Sequence, residues 1–117
     1  MDNKEYKVVF QLSTNDWSVC QSLVKQIRNV QKEIPSIKVE VVIHGMGVEL
    51  LFNKNRFSSV FEEMANKGIV MLVCRNTLNE IGSSTSDLIS VARVIPSALA
   101  HIIVRQSEGW SYIKVGF

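Results

Sequence analysis

The apolar positions of this chain fall into two alternating patterns. Five short runs are rich in β-branched and aromatic residues and predict strands. The stretches between them carry apolar residues at helical spacing, as in the stripe formed by Cys20, Leu23, Ile27 and Val30. The predicted strands cover residues 6–12, 37–43, 69–73, 91–95 and 110–115, and the predicted helices cover residues 17–32, 48–52, 56–66, 76–81 and 98–106.

Strands that alternate with helices are typical of βαβ crossovers and a parallel sheet. The sequence therefore predicts an α/β protein, a three-layer α/β/α sandwich with a mostly parallel five-stranded sheet. The third strand is the most apolar of the five, which favours a central position. A length of 117 residues suits one domain, and we assign residues 1–117 to it.

Composition excludes several classes of function. Apolar residues make up 46% and charged residues 21% of the chain, as in ordinary globular domains, and a net charge of +2 without a basic cluster argues against nucleic acid as a partner. No apolar run approaches the roughly 18–20 residues that a membrane span needs. The N-terminal residues lack the apolar core of a signal peptide, so we expect a cytoplasmic protein with no membrane partner.

The two cysteines are far apart in sequence and have no companions at metal-ligand spacing. We therefore expect reduced thiols, no metal site and no cofactor. Cys20 lies on the apolar stripe of the first helix and is interpreted as a packing residue. His101, in the last helix, is interpreted as a surface or interface residue. Trp110 and Tyr112 are two positions apart and should share one face of their strand.

Three predicted strands end on groups that could bind or react. The first ends near Gln11, the second on His44 and Gly45, and the third on Cys74, Arg75, Asn76 and Thr77. Because the carboxyl ends of parallel strands meet at one edge of a sheet, and ligands bind there near a switch in strand order, these residues form the candidate site.

Cys74 allows two interpretations. It directly precedes a predicted helix, whose first N–H groups stabilise a thiolate, and Arg75 or His44 could add a positive charge or a hydrogen bond. Cysteine is also among the residues most often buried as a small hydrophobe. His44 is equally open, either as a partner of the local backbone or as a donor or base in the same pocket. Position alone does not decide between these interpretations.

Four segments carry a family resemblance. The segments VVIHG, VMLVCRNTL, VIPSALAHI and RQSEGWSYIKV together resemble the DsrE/DsrF-like family, also called YchN-like, over residues 6–115. The resemblance implies a three-layer α/β/α fold and homotrimers or hexamers. It also implies a cysteine that accepts persulfide sulfur and passes it on, which corresponds to Cys74. His44 and Asn76 correspond to pocket residues.

The leading hypothesis is a sulfur-relay protein, with a possible sulfurtransferase activity, that exchanges persulfide sulfur with a protein donor and a protein acceptor through Cys74. In this hypothesis His44, Asn76 and Thr77 orient the sulfur. The alternative is a non-catalytic oligomeric module that binds an anion or a nucleotide-like ligand at the same strand ends. A redox-sensing thiol ranks last, because no second cysteine lies nearby in sequence to resolve it.

Overall fold

A computed structural model describes residues 4–116. Five strands alternate with helices along the chain. The strands are β1 (Lys7–Leu12), β2 (Lys38–Ile43), β3 (Val70–Cys74), β4 (Ala92–Ile95) and β5 (Ser111–Lys114). The α-helices are α1 (Trp17–Glu33), α2 (Ser58–Asn66), α3 (Arg75–Glu80) and α4 (Ala98–Ser107), and two 3-10 helices span Gly45–Leu51 and Thr85–Asp87.

The strands form one all-parallel sheet in the order β4-β3-β2-β1-β5. The first four strands are added in one direction, and the chain then returns from β4 across the sheet to place β5 beside β1. Because crossovers between parallel strands are right-handed, the first three connections lie on one face and the fourth lies on the other. This places α1, α2 and α3 opposite α4, which confirms the predicted three layers.

Two apolar clusters show this division. The larger one joins inward residues of β1 to β4 to α1, α2 and α3, and its fully buried members include Phe10, Leu23 and Phe61. The smaller one lies under α4 and contains Val9, Val42, Leu72, Cys74, Ala98 and Ile102. Cys20 belongs to the larger cluster and is fully buried, so its interpretation as a packing residue is confirmed.

Some sequence predictions need correction. The central strand is β2 rather than the third strand, since β3 lies between β2 and β4. The apolar content of β3 reflects burial on both faces, which any interior strand of a parallel sheet has. The 3-10 helix Thr85–Asp87 was not among the predicted helices, and Ser84 and Asp87 form a capping box at its start. None of the helices within residues 4–116 is long and apolar enough to cross a membrane.

Candidate functional site

The topological switch point of the sheet, where the connections after two neighbouring strands leave on opposite faces, lies at the carboxyl ends of β3 and β4. The chain leaves β3 toward the face of α1, whereas it leaves β4 toward the opposite face through Ser97 into α4. Crevices at such switch points are the usual ligand sites of open parallel sheets. Cys74 is the last residue of β3, pairs with Ile95 and is on the α4 side of the sheet. It therefore lies at the crevice itself.

The sulfur of Cys74 contacts the beginning of α4. The backbone N–H of Ala98, the first residue of that helix, donates to Cys74 Sγ over 3.4 Å. Ser97 caps the helix by accepting from Ala100 N–H. A helix start carries partial positive charge, which favours negative charge on an atom placed there. Cys74 is 5% exposed, so burial opposes the same charge.

The helix that contacts the sulfur is not the one predicted from sequence. Cys74 occupies the N-cap position of α3, but its side chain makes no capping hydrogen bond there. The side chain points to the α4 face, because successive strand residues alternate between faces and Leu72 is also on that face. The sequence places α3 beside Cys74 along the chain, whereas the fold places α4 beside its sulfur.

His44 lies next to Cys74 at the same edge. The β2–β3 register ends with Ile43 opposite Val73, so the following residues, His44 and Cys74, are adjacent. Gln11 Nε2 donates to His44 Nε2 over 2.7 Å, and the hydroxyl of Tyr112 donates to Gln11 Oε1. Since an amide nitrogen only donates, Nε2 of His44 accepts and Nδ1 carries the proton of the neutral ring. Burial, and secondly the charge of Lys114, lowers the pKa of His44.

The remaining predicted site residues divide into two groups. Thr77 is buried, and its Oγ1 accepts from the N–H of Gly45 over 3.1 Å. This hydrogen bond joins α3 to the start of the 3-10 helix that follows β2. Gly45 has φ +56°, a left-handed conformation that favours glycine. Arg75 and Asn76 are exposed on the first turn of α3. The structure thus joins Gly45 to Thr77 and places His44 beside Cys74 in the sheet register, while Arg75 and Asn76 lie on the outer surface.

A buried ion pair fixes the other end of α4. Glu40 of β2 is 6% exposed, and it accepts from Arg105 Nε over 3.0 Å and from Arg105 Nη2 over 2.7 Å. His101 Nε2 lies 2.7 Å from the same carboxylate. Burial raises the pKa of Glu40, but the hydrogen bonds from Arg105 and His101 outweigh it and leave the pKa lowered. The interpretation of His101 as a surface or interface residue is therefore wrong, because its ring faces the sheet.

Sequence reasoning missed this pair. A signal was present, since Glu40 interrupts the otherwise apolar inner part of a strand, where an isolated carboxylate is costly unless a cation partners it. Among residues 4–116, no group of three or more His, Cys, Asp or Glu side chains could hold a metal ion. A groove of about 790 Å³ lies at the amino ends of the strands, and its lining includes Lys7, Glu40 and Trp110 but not Cys74.

Cys20 differs chemically from Cys74. Burial, and secondly the negative charge of Asp16, raises the pKa of the Cys20 thiol to about 11. It belongs to the cluster on the face opposite α4, so the sheet separates the two sulfurs. At neutral pH, Cys20 therefore stays a thiol, and reagents for thiolates should not detect it in the folded protein.

Comparisons with other proteins agree with the fold. The sequence model of the DsrE/DsrF-like family matches residues 7–115. A protein of unknown function from Methanobacterium thermoautotrophicum, MTH1491, is 34% identical with a TM-score of 0.91, over 94% of this chain and 99% of that one. A conserved protein of unknown function from Bacteroides thetaiotaomicron, BT1422, shares the fold at 14% identity and a TM-score of 0.71, over 93% of this chain and 94% of that one. No curated protein matches.

Proposed function

Because this chain belongs to the DsrE/DsrF-like family, we propose that it is a sulfur-relay protein that accepts persulfide sulfur on Cys74 and passes it to a second thiol. The observation that carries the proposal is the place of the Cys74 sulfur. It lies at the switch point of the sheet and accepts the first N–H of the ten-residue helix α4. A thiolate is the nucleophile in sulfur exchange, and a helix start is a surrounding that stabilises thiolates.

The proposed reaction consists of two exchanges. The Cys74 thiolate attacks the terminal sulfur of a donor persulfide, R–S–SH. A new sulfur–sulfur bond forms on Cys74, the donor's sulfur–sulfur bond breaks, and the donor leaves as the thiolate R–S⁻. An acceptor thiolate then attacks the terminal sulfur of the Cys74 persulfide and releases Cys74 as thiolate. Electrons and protons balance without an external oxidant or reductant.

The neighbouring groups have defined parts in this proposal. Ala98 N–H stabilises negative charge on Cys74 Sγ before attack and when the acceptor leaves with the sulfur. Nδ1–H of His44, with its Nε2 occupied by Gln11, is a donor for the incoming persulfide. Arg75 and Asn76 are exposed beside the crevice, where they would contact a protein donor or acceptor.

Intact-protein mass spectrometry tests the proposal. After incubation with glutathione persulfide, we expect the wild-type protein to gain about 32 Da, one sulfur atom, and to lose it on treatment with a dithiol. Cys74→Ser should abolish the gain, whereas the matched variant Cys20→Ser should retain it. A wild-type protein that gains no sulfur, or a gain that persists in Cys74→Ser, would contradict the relay.

A non-catalytic binding module is the second candidate. The low exposure of Cys74, at 5%, favours it, because a sulfur that only lines a pocket needs no access to a partner thiol. Inorganic phosphate is the probe. A rise in melting temperature with phosphate that is equal in the wild type and Cys74→Ser, together with no sulfur gain, would favour this module.

A further inference from the structure

α4 is held to the sheet at two places, seven residues apart. Near its amino end, Ala98 is buried and donates its N–H to Cys74 Sγ. Further along the helix, His101 and Arg105 bind the buried Glu40 of β2. Residues 98, 101, 102 and 105 lie on one side of a helix, since their spacings are three, four and seven. One rigid element therefore connects the Glu40 carboxylate with the sulfur.

The contact of Arg105 and His101 with Glu40 is unusual for the surface between a short helix and a sheet. A helix of ten residues would ordinarily pack its apolar side on a sheet, as Ala98 and Ile102 do here. The same side of α4 also places the guanidinium of Arg105 and the imidazole of His101 against the Glu40 carboxylate, which is 6% exposed. Buried ion pairs add little net stability compared with apolar packing, but they fix geometry through directed hydrogen bonds.

From this arrangement we infer that Glu40, Arg105 and His101 are positioning residues for Cys74, which hold α4 so that the N–H of Ala98 points at the sulfur. The inference rests on the proposed function only for its purpose, because the positioning itself acts on the thiol. The two hydrogen bonds from Arg105 fix both the position of α4 along β2 and its rotation about the helix axis. With them absent, α4 keeps the single contact of His101 with Glu40 and its apolar contacts, and apolar contacts allow sliding.

The pH dependence of Cys74 alkylation separates positioning from a direct effect of charge. Val70, the register partner of Glu40 in β3, precedes Cys74 by four residues, which is about 13 Å along the strand. Removing a negative charge at that distance would by itself favour the thiolate and lower the pH midpoint of alkylation. Losing the N–H of Ala98 would instead raise the midpoint. The two causes have opposite signs.

The experiment measures iodoacetamide alkylation of Cys74 between pH 5 and pH 10 in the Cys20→Ser background. We expect Glu40→Gln to raise the midpoint by about one pH unit, the size expected for a lost hydrogen bond to a charged group. Glu108→Gln is the matched control, because it also removes a carboxylate that binds Arg105, over 2.9 Å, but one whose side chain is 47% exposed. It should leave the midpoint unchanged.

A second control removes the effect of stability. Met64→Ala weakens the cluster on the opposite face without contacting α4, so it lowers the melting temperature and should not move the midpoint. If Glu40→Gln does not fold, Arg105→Lys replaces it, because lysine keeps the charge but cannot make the paired hydrogen bonds. It should also raise the midpoint.

The outcomes are distinct from those of the relay test. A folded Glu40→Gln or Arg105→Lys protein whose midpoint stays or falls overturns the positioning role. A raised midpoint in a protein that never takes up persulfide sulfur would keep the positioning role and reject the relay. If the wild type takes up sulfur and the midpoint is unchanged in both variants, the relay is kept and the positioning role is rejected.

Discussion

Folding places the His44 ring in a half-buried position beside Lys114, and both surroundings lower its pKa from the ordinary value of 6.5. The unfolded chain therefore binds a proton at this residue at a higher pH than the folded protein does. Stability must then fall as the pH is lowered from about 6.5 toward the lowered pKa of the folded state, because protonation favours the unfolded chain in that window.

We predict that His44→Gln weakens this acid dependence. The wild-type free energy of unfolding should lose up to about 1.4 kcal/mol per pH unit through His44 between pH 6.5 and the lowered pKa, and the variant should lose less. Urea denaturation at several values between pH 5 and pH 7.5 measures both slopes. His101 is present in both proteins, so the difference between the slopes gives the contribution of His44 to the pH dependence of the free energy of unfolding. Equal slopes would show that His44 titrates alike in the folded and unfolded states.

At the scale of elements, the 3-10 helix Gly45–Leu51 packs closely on the end of β1. A Cβ atom at Gly47 would lie 3.1 Å from the backbone oxygen of Leu12, 3.2 Å from that of Thr14 and 3.3 Å from Ile43 Cγ2. Backbone oxygens at the end of a central region of the sheet cannot easily move away. The glycine is therefore required by this close approach and not by its own backbone angles.

We predict that Gly47→Ala lowers the free energy of unfolding by about 1–3 kcal/mol, the cost of forcing atoms into a filled space. Chemical denaturation of the two proteins at pH 7 measures the difference. Since the same segment begins at Gly45, which binds Thr77, the alkylation rate of Cys74 should change as well. An unchanged free energy of unfolding would show that the segment can move off β1 at little cost.

The elements were largely predictable from sequence, because each strand and helix has its own local period. All five strands were placed within two residues of their observed bounds at their carboxyl ends, and the edge that gathers His44 and Cys74 followed from parallel pairing alone. The contact between Cys74 Sγ and Ala98 N–H was not predictable in this way. It depends on which face carries α4, and that follows from the strand order, which no local pattern contains.

The pairing of Glu40 with Arg105 has the same origin. The two residues are 65 positions apart, and Arg105 alone has the pattern of an ordinary surface charge on a helix. Only the return of the chain from β4 to β5 brings α4 over β2. The buried position of Glu40 could be predicted from its strand, but the identity of its partner could not, because lysines and arginines are spread along the whole sequence.

At the scale of the whole molecule, α4 is apolar on its outer side. Leu99, Ile103 and Val104 are 58%, 67% and 52% exposed, while the sheet side of the same helix carries Arg105 and His101. Water favours the reverse arrangement, in which aliphatic side chains are buried and charges are solvated. An exposed aliphatic stripe on a helix that covers one face of a sheet is typical of a surface that another protein covers.

We predict that α4 mediates self-association. The wild-type protein should have a mass in solution of three times 13.2 kDa for a trimer or six times for a hexamer, measured by size exclusion with light scattering. Ile103→Glu should reduce the mass to that of one chain, because a carboxylate in the middle of an apolar interface stays unpaired. Ile81→Glu is the matched control, since Ile81 is 50% exposed and follows α3 on the opposite side of the sheet.

The same experiment relates assembly to the proposed site. The carboxyl-end crevice lies at the amino end of α4, so a second copy on the outer side of this helix would border Cys74 and narrow the approach of a sulfur donor. Ile103→Glu should then speed alkylation of Cys74 while it dissociates the oligomer. A wild-type protein that has the mass of one chain at micromolar concentration would refute the role of α4 in assembly. Dissociation with an unchanged alkylation rate would place the interface away from the crevice.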